Sequence, residues 1–354
     1  MRINGQLQKF KLFIGAGIIC SFLLILSNVL WKFNSHYFDS KDILITFTDL
    51  LNLETFPRKV EGNLVAKNDR RLEIYDNDIE GADIDYFEKN ICKGNSFMNY
   101  KVSNRNFLVN YPKKLLYCWI HKVASTTVTS LFSSLAGRYV KKNYYREINI
   151  LAAKSHEELE NIIHNTSFIK FLVVRHPFER LVSAFRDRIA DNSRFTTQAW
   201  LYGPRILAKR RLNYTEMFDT NNGFVLKIIP TFQEFVTWLI STPPTKYDVH
   251  WIRYNDHCLP CKIHYNVIIK LESALNGEEG FKNITKLKKL KLFSKHLQET
   301  GGGRTTFKIS CDYFKNLKLY EIETLYKIYE IDFRIFGYSP ISYYKCSKYF
   351  KVHN

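Results

Sequence analysis

A chain of 354 residues with 52 Lys and Arg against 34 Asp and Glu carries a formal charge of +18. The length accommodates one sizeable core plus an appendage, and apart from its charge the composition is that of a globular protein, which excludes a wholly disordered chain. Such a field favours a polyanionic partner, whether acidic polysaccharide, acidic membrane or nucleic acid, and its sign alone does not choose.

The N-terminus narrows the choice. Leu12–Trp31 is a run of 20 residues without formal charge, long enough to cross a hydrocarbon core. Arg2, Lys9 and Lys11 precede it, which keeps the N-terminus cytosolic and sends the rest to the lumen or exterior. The expected organisation is a cytosolic tail over 1–11, a single-pass type II signal anchor over 12–31, a stem over 32–105 and a lumenal domain over 106–354. A cleaved signal peptide is the alternative, disfavoured by the absence of a clear small-residue cleavage site. The sequons at Asn165, Asn213 and Asn283 are expected glycan acceptors there. Cys92, Cys118, Cys258, Cys261, Cys311 and Cys346 lie beyond the span, an even set expected to form disulfides in an oxidising compartment, with the pairing left open.

Within the stem, Asp69–Glu88 carries eight carboxylates. From about Asn106 onward, elements alternate. Leu115–Ile120 reads as a buried strand, and Val128, Leu131, Phe132 and Leu135 recur at helical spacing. Ser155 with Glu158 forms a capping-box pattern before a helix bearing Leu159, Ile162 and Ile163. Phe168–Val174 is a second strand, and Pro177 opens a helix with a stripe of Phe178, Leu181, Val182, Phe185 and Ile189. Thr231 and Glu234 cap a helix that stops before Pro243, and Asn266–Leu271 is a third strand. The segment Lys282–Lys295, with six lysines, reads as a solvated face or a polyanion track. Strands separated by helices predict an α/β fold: a parallel sheet flanked by helices, binding ligands beyond the carboxyl ends of its strands.

Two constellations lie at such ends. The loop His121-Lys122-Val123-Ala124-Ser125-Thr126-Thr127 joins a strand to a helix start and supplies a cation, small residues and hydroxyls, the chemistry of an anion site. With no glycine between Leu115 and Ala136, it is not a Walker-type loop. A simple helix cap is the bland reading. The second, Arg175-His-Pro-Phe-Glu-Arg180-Leu-Val-Ser183, ends a strand and starts a helix, with Arg180 and Ser183 expected opposite the apolar stripe. An arginine fork and a hydroxyl suit a second phosphate. A salt-bridged surface, with Arg180 pairing to Glu179 or Asp187, is the alternative.

Together these stretches resemble the 5′-phosphosulfate and 3′-phosphate motifs of the Golgi carbohydrate sulfotransferases, in the HNK-1, chondroitin 4-O and dermatan 4-O group. The second motif matches almost completely; the first departs at His121, where proline is usual, and at Ser125, where cysteine is usual. Downstream, Asp248-Val-His250-Trp251, Cys258-Leu-Pro-Cys261, Lys270-Leu-Glu272 and Tyr329-x-x-Asp332-Phe333-x-x-Phe336-Gly337-Tyr338 are similar to family motifs in the same order. The likeness spans Leu115 to Tyr338 and implies a P-loop-like sulfotransferase fold with 3′-phosphoadenosine 5′-phosphosulfate (PAPS) as donor. It implies that Lys122, Val123, Ala124, Ser125, Thr126 and Thr127 hold the 5′-phosphosulfate. Arg175, Arg180 and Ser183 would take the 3′-phosphate.

Lys122 is the expected stabiliser of charge on the leaving phosphate oxygen. His250 is the expected base, with His121 the alternative. The group His250, His257, Cys258, Cys261 and His264 lacks a second C-x-x-C or a spaced H-x-x-x-H, so no metal is expected. Arg304, after Gly301-Gly302-Gly303, is a candidate for meeting a phosphate or the acceptor. The expected partners are an anionic, chondroitin-like glycan and the Golgi membrane through the N-terminal helix, with no nucleic acid. A catalytically silent lumenal glycan-binding protein and a nucleotide-dependent kinase stay open as alternatives.

Overall fold

The computed structural model describes residues 92, 103–138, 144–191, 193, 196–219, 225–272 and 303–351. The expected anchor over 12–31, nearly all of the stem, the lysine-rich segment and the sequon at Asn283 lie outside the described residues. Among the described residues, no helix is long and apolar enough to cross a membrane.

One four-stranded sheet organises the fold, in the order β1 (Phe107–Asn110), β2 (Leu115–Cys118), β3 (Ile169–Val174), β4 (Val267–Lys270). Strands β2, β3 and β4 are parallel, with Tyr117 opposite Phe171 and Phe171 opposite Val267. Their residues are almost wholly apolar because helices cover both faces. Strand β1, however, runs antiparallel to β2, so the sheet is mixed where an all-parallel one was expected. The reason is the connection: the chain returns through Tyr111–Lys114, with Lys114 in the left-handed region at φ 51°, and a turn that short admits only an antiparallel neighbour.

The principal helices are α1 (Ser125–Leu135), α2 (Tyr144–Leu151), α3 (His156–His164), α4 (Pro177–Phe185), α5 (Thr197–Ile206), α6 (Phe232–Ile240), α7 (Tyr254–Cys258), α8 (Phe307–Phe314), α9 (Leu319–Ile335) and α10 (Ile341–Cys346). The Thr231 cap behaves as read, and the Ser155 cap does so by half. Ser155 Oγ accepts from Glu158 N at the start of α3, and Thr231 with Glu234 forms a reciprocal box at the start of α6. Glu158 turns instead to the Lys154 amide and the Tyr111 hydroxyl.

Helix α4 is the pivot between two cores. Its apolar stripe packs on α6, α8 and α9, where Phe178, fully buried, contributes about 1.5–3 kcal/mol. The opposite face is also closed: all nine residues of α4 are buried, Arg180 and Ser183 included. The expected open polar face is therefore absent, because the Lys122 loop lies on it. Beyond Phe185 the helix widens into a π-helical segment, Arg186–Ala190, a distortion often found at functional sites.

Three disulfides pair Cys92 with Cys261, Cys118 with Cys258, and Cys311 with Cys346. Cys258 and Cys261 thus point to different partners. The Cys118–Cys258 bridge, spanning 140 residues of sequence, ties the end of β2 to the helix that follows His250. Replacing both cysteines with alanine is expected to cost about 2–5 kcal/mol, read as a lower urea midpoint under oxidising conditions. An unchanged midpoint would show that packing alone holds the two segments.

Candidate active site

The loop between β2 and α1 turns without glycine. Lys122 at φ 72° and Ala124 at φ 59° both occupy the left-handed region, a strain of about 1–3 kcal/mol per residue that persists only where neighbours over-determine it. Those neighbours are arginines and an apolar plug. Arg180 Nε donates to the His121 carbonyl at 2.9 Å, Arg175 Nη1 donates to the Lys122 carbonyl at 3.4 Å, and Val123 is fully buried. With its carbonyls drawn toward α4, the loop forms a concave backbone turn at a helix start, the kind of nest that takes anions. Ser125, Thr126 and Thr127 belong to the first turn of α1 rather than to the loop, with Ser125 and Thr126 half-buried.

The motifs that were separate in sequence meet here. Arg175 reaches the Lys122 carbonyl and also Glu179 at 3.3 Å and the Thr305 carbonyl. Arg180 pairs with neither Glu179 nor Asp187. Its Nη1 donates to the Ile252 carbonyl at 2.6 Å, its guanidinium lies 4.7 Å over the Tyr254 ring, and its Nη2 is buried without a partner among the described residues. Ser183 is buried three residues further along α4. Exposed Arg304 follows Gly303, whose carbonyl accepts from Arg186 at 3.1 Å.

Lys122 Nζ donates to Asp187 Oδ2 at 2.8 Å, and the same oxygen lies 2.9 Å from Arg188 Nε. Burial lowers the Lys122 ammonium to about 8, against the pull of Asp187, while Arg188 and Arg175 add to the lowering. Such a lysine gains affinity for its proton when further anions arrive. Asp187 was not read as a site residue. A signal was available: it stands one turn beyond Ser183 and two beyond Arg180, on the face that meets the Lys122 loop.

His250 is buried beside this pair. Its Nδ1 lies 2.6 Å from Asp248 Oδ1, and its Nε2 is buried with no partner among the described residues. Asp248 also accepts from the His250 amide at 3.0 Å and from Gln198 Nε2 at 3.3 Å. Burial raises the Asp248 carboxyl, while the donors from the His250 amide and Gln198 favour its ionised form; with Asp248 ionised, Nδ1 carries the proton and Nε2 keeps a lone pair. Burial pushes His250 well below its usual value, reinforced by Arg188 and Lys122. The ring of His121 lies against that of His250 at a tilt of 34°, with centroids 3.9 Å apart. Burial first, then His250, lowers His121 as well. Two other histidines are structural: His176, half-buried, caps α4 by accepting from Phe178 N at its Nδ1, and buried His257 Nε2 lies 2.9 Å from the Trp119 carbonyl.

The downstream motifs support the site from behind. Glu272 accepts from the His176 amide at 2.8 Å and from the Tyr338 hydroxyl at 2.9 Å. Asp332 accepts from the amides of Tyr254 and Asn255, capping α7, and the Tyr254 hydroxyl accepts from the Arg175 amide at 2.9 Å.

A cation on an anion-binding turn, facing a histidine held in one tautomer, can stabilise a leaving oxyanion while accepting a hydroxyl proton. Residues 105–339 match the model of the Sulfotransferase family, and the chain belongs to that family; it is a sulfotransferase. Among its relatives are rat carbohydrate sulfotransferase 11, 31% identical over 277 residues covering 72% of this chain and 74% of the relative, and human carbohydrate sulfotransferase 8, 30% identical over 238 residues covering 64% and 54%. Carbohydrate sulfotransferase 10 of Xenopus laevis is 27% identical over 289 residues, covering 71% and 74%. No solved structure matches. Membership implies PAPS as sulfate donor, and the residues fit a bis-anionic ligand: the Lys122 ammonium, the turned loop, Arg175, and the orphaned Nη2 of Arg180.

Proposed function

We propose that this chain transfers a sulfuryl group from PAPS to a hydroxyl of a glycan, with a chondroitin-like glycosaminoglycan the preferred acceptor. The reading includes a Golgi location, with the catalytic domain lumenal behind a type II anchor over 12–31. Asn165 and Asn213 are exposed, which supports their use as glycan acceptors in that compartment. The observation that carries the proposal is the unpartnered Nε2 of His250, in a ring fixed by Asp248 next to the Lys122 loop.

When bound, the donor supplies an activated sulfuryl group and a phosphate leaving group. His250 Nε2 accepts the proton of the attacking sugar hydroxyl. Lys122 stabilises charge gathering on the leaving oxygen, and Asp187 keeps the ammonium in place. The backbone turn at Val123 and Ala124 and the hydroxyls of Ser125, Thr126 and Thr127 hold the 5′ end. Arg175 and Ser183 hold the 3′-phosphate, and Arg180, tied to the loop through Nε, keeps its Nη2 for the donor.

Transfer from radiolabelled donor by the purified lumenal domain, offered a panel of desulfated glycosaminoglycans followed by disaccharide analysis, tests the reading. Label in a chondroitin-type disaccharide is the expected result. Donor binding without incorporation into any glycan would instead identify a silent glycan-binding protein.

A further inference from the structure

Helix α5 connects the His250–Asp248 dyad to the surface. Its first turn is anchored at the site: Thr196 Oγ1 donates to the Arg188 carbonyl at 2.5 Å and accepts from Ala199 N at 3.0 Å, and Gln198 reaches Asp248. Its back is fixed by close packing, since a Cβ on Gly203 would stand 2.8 Å from Leu226 Cδ2. Its far end is pinned by Arg210, which donates from Nε and Nη2 to both carboxylate oxygens of Glu234 at 2.7 and 2.9 Å.

The remaining face is a graded stripe. Gln198, Tyr202 and Arg205 recur at intervals of four and three, so they lie one above another. Tyr202 leans on Trp251, centroids 5.0 Å apart, and the Arg205 guanidinium sits 5.5 Å over the Tyr202 ring. Burial first, and then the Asp248 carboxylate, push the Tyr202 phenol up, in keeping with a ring close to the dyad. Arg205, Lys209 and Arg211 are exposed, and none has a carboxylate partner among the described residues. From Gln198 to Arg205 the helix rises about 10 Å, on the order of a disaccharide.

On the reading that the acceptor is a glycan, we infer that the α5 ridge is the subsite for its anionic neighbours: Arg205, seated on Tyr202 and backed by Lys209 and Arg211, binds the carboxylate or sulfate of a sugar next to the one sulfated. A planar fork held on an aromatic ring is preorganised for such a group. This subsite lies on the acceptor side of His250 and serves neither the loop nor Arg175.

Two readouts test it on the full chain. The first is the salt needed to elute the protein from immobilised chondroitin polymer, for the wild type, Arg205→Glu, Arg205→Lys and the Lys209→Glu/Arg211→Glu pair. The second is transfer of labelled sulfate to that polymer and to a neutral oligosaccharide bearing the same hydroxyl. Arg205→Glu is expected to elute at lower salt and to raise KM for the polymer about tenfold. Its KM for donor, its kcat at saturation and its use of the neutral acceptor should be unchanged, with Arg205→Lys falling between. Unchanged elution and KM, or an equal loss on the neutral acceptor, would each overturn the inference. Arg205-dependent elution without transfer to any glycan would keep the subsite and refute the transferase reading; transfer that ignores Arg205 would refute the subsite alone.

Discussion

Lys122→Met is expected to lower kcat by about 10²–10³-fold, the cost of removing one preorganised charge from a developing oxyanion. The neutral side chain keeps most of the aliphatic packing, so the melting temperature should move by only a few degrees. Asp187, 2.8 Å from Lys122 Nζ, would retain Arg188 at 2.9 Å and so would not become an isolated buried charge. Lys122→Arg should recover only part of the activity, because the fork cannot take the position of a compact ammonium in a closed turn. Activity of the methionine variant within a few-fold of wild type would remove Lys122 from the chemistry. The pH profile carries the same assignment. With the free-enzyme ammonium near 8, kcat/KM for donor should fall as pH rises through that value, since the deprotonated amine no longer neutralises the phosphate. The kcat profile, which reports the complex, should fall at higher pH because bound anions raise the ammonium.

His250→Ala is expected to lower kcat by about 10²–10⁴-fold with donor affinity retained, and free imidazole should restore part of the loss. Asp248→Asn should act in the same direction by releasing the ring from its tautomer, as in a Ser-His-Asp triad. His121→Ala, which removes the tilted ring 3.9 Å away, should cost less than about tenfold, because among the described residues that ring lacks a carboxylate partner to orient it. The acid limb does not tell the two histidines apart, since burial lowers both, but it does test whether a buried imidazole is the base. Burial holds His250 well below 6.5, so the base stays neutral and kcat should be flat from 6.5 downward until that lowered value is reached. If His250→Ala stayed within a few-fold of wild type with cofactor binding intact, or if His121→Ala removed activity instead, the assignment of the base would be wrong.

Much of the site was legible as local pattern. The helix caps at Ser155 and Thr231 depend on residues three apart, Pro177 marks the first position of α4, and short apolar runs located the three parallel strands. The Lys122 and Arg175 motifs announced themselves because each joins a strand end to a helix start. What local pattern does not reveal is which charge meets which. Arg180 looked like a phosphate ligand or a surface ion pair, yet it spends two of its nitrogens on the carbonyls of His121 and Ile252. Glu179, read as its partner, goes to Arg175, and Asp187 goes to Lys122. On a helix buried on every face, the three-residue spacing of Arg180 and Ser183 no longer separates inside from outside.

The sequence by itself determined the class of the protein. A charged, glycine-free turn after a buried strand, a second strand-end arginine motif and an ordered set of downstream motifs are short-range features, and short-range sterics and capping suffice to place them. Only the tertiary structure decided the rest. Residues 65 apart in the chain form the Lys122–Asp187 pair, residues 50 apart form the Gln198–Asp248 contact, and residues 140 apart form the Cys118–Cys258 bridge. Those contacts depend on how α4, α5 and the segment bearing His250 converge on the end of β2. No window of sequence contains that convergence, because it is set by the packing of the two cores on either side of α4.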